Sequence, residues 1–183
     1  AAVFHQSVAE GLFGVDADQF IAARPALVVE RATPQAVREV VPQLLEAGID
    51  VVIVSIGALG DPAVLARLEQ AARAGGARAI AVSGAIGGLD VLRSARLAGL
   101  DSVTYTGRKP PLAWQGTPAE RLLDLPDLTE AATFYDGNAL EAARDYPRNT
   151  NVTAAVALAG LGFERTRVRL IADPAAPGNS HEL

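Results

Sequence analysis

Three short apolar runs recur along the first half of the chain: Ala26-Leu27-Val28-Val29, Val51-Val52-Ile53-Val54 and Ala79-Ile80-Ala81-Val82. A four-residue apolar run bounded by turn residues suits a strand buried on both faces. The segments between them have helical spacing. Thr33-Pro34 opens the first, an N-cap followed by proline in the first turn. Val37, Val40, Val41, Leu44 and Leu45 carry it to Gly48, with Pro42 predicted to kink it. Asp61-Pro62 opens the second, with Val64, Leu65, Leu68 and Ala72 on one face and Gly75-Gly76 at its end. Strand, helix, strand, helix, strand in this order predicts a parallel α/β sheet with right-handed crossovers. Ligands of such sheets sit beyond the carboxyl ends of the strands. Those ends carry Glu30-Arg31-Ala32, Ser55-Ile56-Gly57-Ala58 and Ser83-Gly84-Ala85-Ile86-Gly87-Gly88. The last constrains most, because its glycines permit positive φ and its free N–H groups can take a carbonyl, amide or phosphate.

The pattern changes near residue 100. Ser102 to Thr106 alternates as a half-exposed strand, and a loop follows with Arg108, Lys109, Pro110, Pro111 and Trp114. Ala132 to Tyr135 reads as a strand, and Asn138 caps a helix through about Arg144. Asn151 to Leu158 is apolar nearly all round, as a buried helix would be. Arg167 to Ala172 alternates again and ends at Asp173-Pro174. Mixed strands and helices here predict an α+β layer rather than more doubly wound sheet.

Composition removes whole classes of function. Half of the 183 residues are hydrophobic and 20% are charged, a core-forming balance. The net charge of −5 offers no basic field for nucleic acid or anionic lipid, so a small molecule or a protein is the expected partner. Absence of cysteine excludes disulfides, thiolate metal sites and a cysteine nucleophile. With two histidines, a zinc site built from this chain alone is not expected. No apolar run approaches the roughly 18 residues of a membrane helix, and no signal peptide pattern is present, so a soluble cytoplasmic protein is expected.

Common motifs fail in informative ways. Gly160-Leu161-Gly162 lacks the third glycine of a dinucleotide fingerprint and follows a helix, so it reads as a helix stop. Ser83 has alanines where a hydrolase elbow needs glycines. Histidine titrates near neutrality. His5 lies in a poorly patterned stretch, and His181 in a polar loop after a strand, where a solvated histidine is the bland alternative to a catalytic one. Arg108-Lys109 offers cations for a carboxylate or phosphate, against the plain reading of a solvated turn. Asn149 and Asn151 sit at a helix start, where capping is the default.

Four motifs in order nevertheless resemble the L-aspartate dehydrogenase family: Ser83-Gly84-Ala85-Ile86-Gly87-Gly88-Leu89-Asp90, Tyr105-Thr106-Gly107-Arg108-Lys109-Pro110, Tyr146-Pro147-Arg148-Asn149-Thr150-Asn151-Val152, and Leu170-Ile171-Ala172-Asp173-Pro174 with Asn179 and His181. The resemblance implies an NAD(P)-dependent oxidation of L-aspartate to iminoaspartate, and on to oxaloacetate and ammonia, often feeding NAD biosynthesis. It also implies a homodimer. The family's catalytic histidine falls on His181, its nucleotide-contacting alanine on Ala85 and its cofactor-contacting asparagine on Asn151.

The fold class this implies is α/β. A partial Rossmann-type parallel sheet occupies residues 1–86, and part of an α+β catalytic and dimerisation domain occupies 87–183. The family's first strand and glycine-rich phosphate loop have no counterpart before Ala1, and its continuation past the histidine has none here. The segment is therefore expected to correspond to the middle of the enzyme, to bind dinucleotide poorly alone and to be inactive alone. Arg31 departs from the small cysteine usual in the family after the strand-end glutamate. The rival expectations are a degenerate, non-catalytic domain of the same fold and a two-domain reductase of the homoserine dehydrogenase type.

Overall fold

The computed structural model describes residues 17–147 and 151–183, with the backbones of two short strands before them. The described residues fall into two compact units that divide between Gly84 and Ala85.

The first unit is built on a five-stranded sheet. Its central parallel strands are β3 (Leu27–Glu30), β4 (Asp50–Ile53) and β5 (Ala79–Ala81), with Val28 opposite Val51 and Val51 opposite Ala79. Two further strands, β1 (Phe4–His5) and β2 (Phe13–Gly14), extend it antiparallel beyond β3, in the order β2-β1-β3-β4-β5. The unpatterned stretch around His5 thus contains a strand, with His5 opposite Val29. Helix α1 (Ala17–Ala23) follows β2.

Burial in β3 and β4 alternates where continuous burial was expected. Val28, Glu30, Val51 and Ile53 are buried, Val29 and Val52 are half-buried, and Leu27 and Ile80 are exposed. Register puts the buried four on one face, so the described helices cover the sheet from that side. At the edge, all of β5 is exposed.

The first crossover is two helices rather than one kinked one. In α2 (Pro34–Glu39), the Thr33 hydroxyl accepts from the Ala36 N–H at 3.2 Å. The chain breaks at Val40 and resumes as α3 (Val41–Glu46), with Pro42 in its first turn. Proline lacks the N–H that a continuous helix needs, so the break falls just before it. Helix α4 (Pro62–Gly75) starts on the Asp61 carboxylate, which accepts from the Ala63 N–H, and ends at left-handed Gly76.

The second unit carries a four-stranded sheet in the order β7-β8-β6-β9. Its strands are β6 (Val103–Lys109), β7 (Ala132–Asn138), β8 (Thr166–Ala172) and β9 (Ser180–Glu182). β6 and β8 are parallel; β7 and β9 flank them antiparallel. Helices α5 (Leu89–Gly99), α6 (Ala139–Asp145) and α7 (Asn151–Ala159) complete it. Helix α5 has no counterpart among the elements expected from the sequence; Leu89 is its buried residue, and Val91 and Leu97 are exposed. The buried α7 is as expected, and Gly162 turns the chain after it at φ +85°.

Candidate functional site

Antiparallel pairing places His181 directly opposite Gly107. Residues opposite one another share a face, and side chains along a strand alternate. Tyr105, Gly107, Lys109 and His181 therefore line one side of the sheet, while Arg108 points to the other. His181 is not in a loop, as expected from its polar surroundings, but in the three-residue strand β9.

The Tyr105 hydroxyl lies 2.9 Å from His181 Nδ1, and the two rings stack at 6.0 Å between centroids. Gly107 makes this possible. A Cβ there would stand 2.8 Å from the Tyr105 oxygen. Tyr105 is 1% exposed, and that burial pushes its hydroxyl well above the ordinary tyrosine range, so it stays protonated. Burial, then the nearby Lys109 charge, holds the His181 pKa below the usual histidine value. Burial also lowers Lys109, whose ammonium sits 4.7 Å above the Trp114 ring. Trp114 is fully buried and donates its indole N–H to the Ile171 carbonyl at 3.1 Å.

With Nδ1 held by Tyr105, Nε2 is the ring nitrogen left for the open cleft that His181 lines. That cleft, about 440 Å³, is walled by Ala85, Ile86, Gly87, Gly88, Val91, His181 and Leu183. Ala85 and Gly87 are exposed along it, and a Cβ built on Gly87 meets nothing within 4 Å. The glycine-rich segment and the histidine, 96 positions apart in sequence, are thus brought together within the second unit.

Other candidates land elsewhere. Asn151 is exposed at the first residue of α7 and does not wall the cleft. Asn149 lies outside the described residues. Arg108 Nη1 pairs with Asp173 Oδ2 at 2.7 Å, and Asp173 Oδ1 accepts from the Ala175 N–H. That backbone bond, then Arg108, holds Asp173 below the usual carboxylate range. Asp173 is thus engaged with Arg108 and the Ala175 N–H. The residue that orients His181 is Tyr105, whose role depends on the pairing of two strands far apart in sequence and so has no local signal. Arg31 is exposed in the first unit. There, the buried Glu30 carboxylate accepts from the Ala32 N–H at 2.7 Å and from the Ser55 N–H and hydroxyl at 3.0 and 2.9 Å, tying two strand ends together. Among the described residues, no group of three His, Cys, Asp or Glu side chains is placed to hold a metal ion. No described helix is long and apolar enough to cross a membrane.

Comparison with known proteins agrees with both halves of this arrangement. Residues 6–81 match the NAD binding domain of homoserine dehydrogenase, and residues 90–183 match the C-terminal domain of aspartate dehydrogenase. The L-aspartate dehydrogenase of Cupriavidus taiwanensis is 54% identical over 160 residues, covering 87% of this chain and 60% of the relative. That of Pseudomonas aeruginosa is 52% identical over 160 residues, with the same coverage of 87% and 60%. The crystal structure of aspartate dehydrogenase from Thermotoga maritima superposes with a TM-score of 0.72 at 34% identity, over 85% of this chain and 61% of that one. The chain thus spans about 60% of the length of these curated relatives. The homoserine dehydrogenase alternative is not favoured, since the relatives that align along most of the chain are L-aspartate dehydrogenases. On its C-terminal half and on these relatives, the chain belongs to the aspartate dehydrogenase family.

Proposed function

We propose that the chain is part of an NAD(P)-dependent L-aspartate dehydrogenase, with His181 as the residue that exchanges protons with the substrate. The observation that carries this is the imidazole held through Nδ1 by Tyr105 in the wall of a cleft whose facing segment is Ala85–Gly88. Residues 1–86 are read as the dinucleotide-binding part and 87–183 as the substrate-binding part.

The residues present suit the cofactor. Ala85 and Gly87 are exposed along the cleft and carry no side chain larger than methyl, a Cβ built on Gly87 meets nothing within 4 Å, and Ala85 and Asn151 are the positions proposed to contact the nucleotide. When bound, the dinucleotide supplies the acceptor for the Cα hydride of aspartate. The protein's own work is proton transfer and placement. The substrate ammonium must lose a proton before the C–N bond gains double-bond character, and water must lose one when the imine is hydrolysed. A histidine held neutral takes such a proton at Nε2. Its Nδ1–H then donates to the Tyr105 oxygen, which keeps the ring in place while it carries the extra charge. Reductive amination runs the same transfers in reverse. We also propose a cytoplasmic homodimer that feeds NAD biosynthesis through iminoaspartate. Light scattering on the purified enzyme tests its assembly.

The decisive experiment is His181→Ala in the full-length enzyme. Positioned acid–base catalysis is worth about 10²–10⁴-fold. A kcat drop of that order is expected with the cofactor Kd unchanged, together with loss of the histidine limb from the pH profile of kcat. Ala85→Leu should do the opposite, raising the cofactor KM. Near-normal kcat and pH profile in His181→Ala would remove His181 from the chemistry.

A further inference from the structure

The connection from β8 to β9, Asp173 to Asn179, is the stretch of chain that delivers His181 to its place. Both of its ends are fastened at one residue of β6. Where it starts, Arg108 Nη1 holds Asp173 Oδ2 at 2.7 Å. Where it ends, Ser180 stands directly opposite Arg108, and the next pair along is Gly107 with His181. The other polar groups of Asp173 are engaged as well. Its N–H donates to the Lys109 carbonyl at 2.9 Å, its Oδ1 accepts from the Ala175 N–H at 2.8 Å, and its carbonyl accepts from the Ala176 N–H at 3.1 Å. A second ion pair on the same sheet provides a contrast. Arg167 and Asp136 join β8 to β7, two strands already paired from Ala132 to Asn138, at the edge opposite β9. Their side chains are 62% and 37% exposed, against 32% and 14% for Arg108 and Asp173.

We propose that Arg108 and Asp173 are positioning residues for His181: their ion pair closes the β8–β9 connection and so keeps the imidazole against the Tyr105 hydroxyl. This rests on the reading of His181 as the residue that exchanges protons with the substrate. Arg108 faces the other side of β6 from the imidazole, so its influence runs through the backbone of β9. A hydrogen bond between two charged groups is roughly twice as strong as a neutral one, and partial burial shields this pair from the screening that weakens exposed ones. Fixing the start of the connection shortens the part that is free, which lowers the entropy cost of bringing β9 back to β6. The Ala175 N–H, then Arg108, hold the Asp173 carboxyl below the usual carboxylate range. The pair is therefore intact wherever a histidine titrates. A reacting group displaced by about 1 Å can lose 10²-fold in rate, so firmness here bears on chemistry.

The test compares Asp173→Asn, Arg108→Met, Arg108→Lys and Arg167→Met in the full-length enzyme, with thermal melts establishing that each is folded. Amide exchange across Ser180–Glu182 reads how firmly β9 is held and needs no turnover. It should speed up about tenfold in Asp173→Asn and Arg108→Met, the lower end for a lost hydrogen bond to a charged group. The imidazole is followed by NMR through the resonance that His181→Gln lacks. Its pKa should rise toward the ordinary histidine value in those two variants, because the burial that lowers it is relieved. Their kcat should fall about 3–10-fold, the worth of the loosened Tyr105 bond, and the histidine limb of its pH profile should move up. Arg108→Lys keeps the charge and a donor, and should recover much of each change. Arg167→Met should match wild type in all of them. Wild-type exchange, kcat and pH profile in both Asp173→Asn and Arg108→Met overturn the proposal. Faster exchange with kcat and pH profile unchanged overturns it too, since the pair would then be structural only, and so do equal losses in Arg167→Met. Faster exchange and a raised His181 pKa, in an enzyme whose wild type does not oxidise aspartate, overturn the proposed function and leave the anchor.

Discussion

A methyl group at position 107 would sit 2.8 Å from the Tyr105 oxygen and 3.2 Å from the carbon that bears it. The hydroxyl would have to move, and with it the bond to His181. Gly107→Ala is therefore expected to lower kcat about 3–10-fold, the worth of one neutral hydrogen bond, while the cofactor Kd measured by fluorescence titration stays put. Tyr105→Phe should give a similar loss; a Gly107→Ala enzyme with full kcat would mean the bond is dispensable. The same pair makes a pH prediction. His181 has a folded-state pKa below the ordinary 6.5, so the unfolded chain binds more protons as pH falls below that value. Its contribution to stability is fully present above about pH 6.5 and is lost as pH falls through the lowered folded value. The lowered carboxylates Asp50, Asp136, Asp145 and Asp173 lose theirs only at more acidic pH. Melting temperatures taken from pH 7.5 down to 5 should fall less steeply in His181→Gln than in wild type. At this scale the sequence was legible for chemistry and opaque for geometry. It offered His181 as the group that titrates near neutrality, but treated Arg108 and Lys109 as one patch. Their separation depends only on which side of β6 each one faces.

Local signals set most element boundaries, and tertiary contact explains the exceptions. Thr33, Asp61 and Asn138 each accept from a backbone N–H two or three residues on, so those helix starts could be read directly. Pro42 broke its helix as its chemistry requires. The pair Gly75-Gly76 was read as a single stop signal, but the two residues serve different ends. Gly76 is the left-handed cap at φ +65°. Gly75 is a close approach: a Cβ there would lie 1.8 Å from the Leu45 carbonyl oxygen at the end of α3. Nothing local announces that second role, because it depends on how two helices cross. Gly75→Ala should destabilise the first unit by about 1–3 kcal/mol, the range for overpacking, in urea unfolding. An unchanged midpoint would mean that α3 and α4 can separate at little cost. The missed α5 and the misplaced β9 fail in the same way. Neither carries a buried stripe of its own, and each is defined by what lies beside it.

Taken whole, the molecule has one tryptophan, Trp114, and it lies in the second unit while Gly75 lies in the first. Each unit has its own buried residues, among them Val51, Ile53 and Leu68 in one and Trp114, Val168 and Leu170 in the other. In Gly75→Ala, the circular dichroism transition should therefore begin at lower urea than the Trp114 fluorescence transition. Coincident transitions would show that the units unfold together. β9 meets β6 through three residue pairs, and the seven residues from Asp173 to Asn179 lie between it and β8. That connection can gain or lose residues so long as the pairs survive. A slip of β9 against β6 by one residue would instead carry the imidazole to the Arg108 side. Whether this fold has a working face is then a matter of odd or even, a single bit stored in counting. No substitution need occur to erase it, and restoring the count restores it.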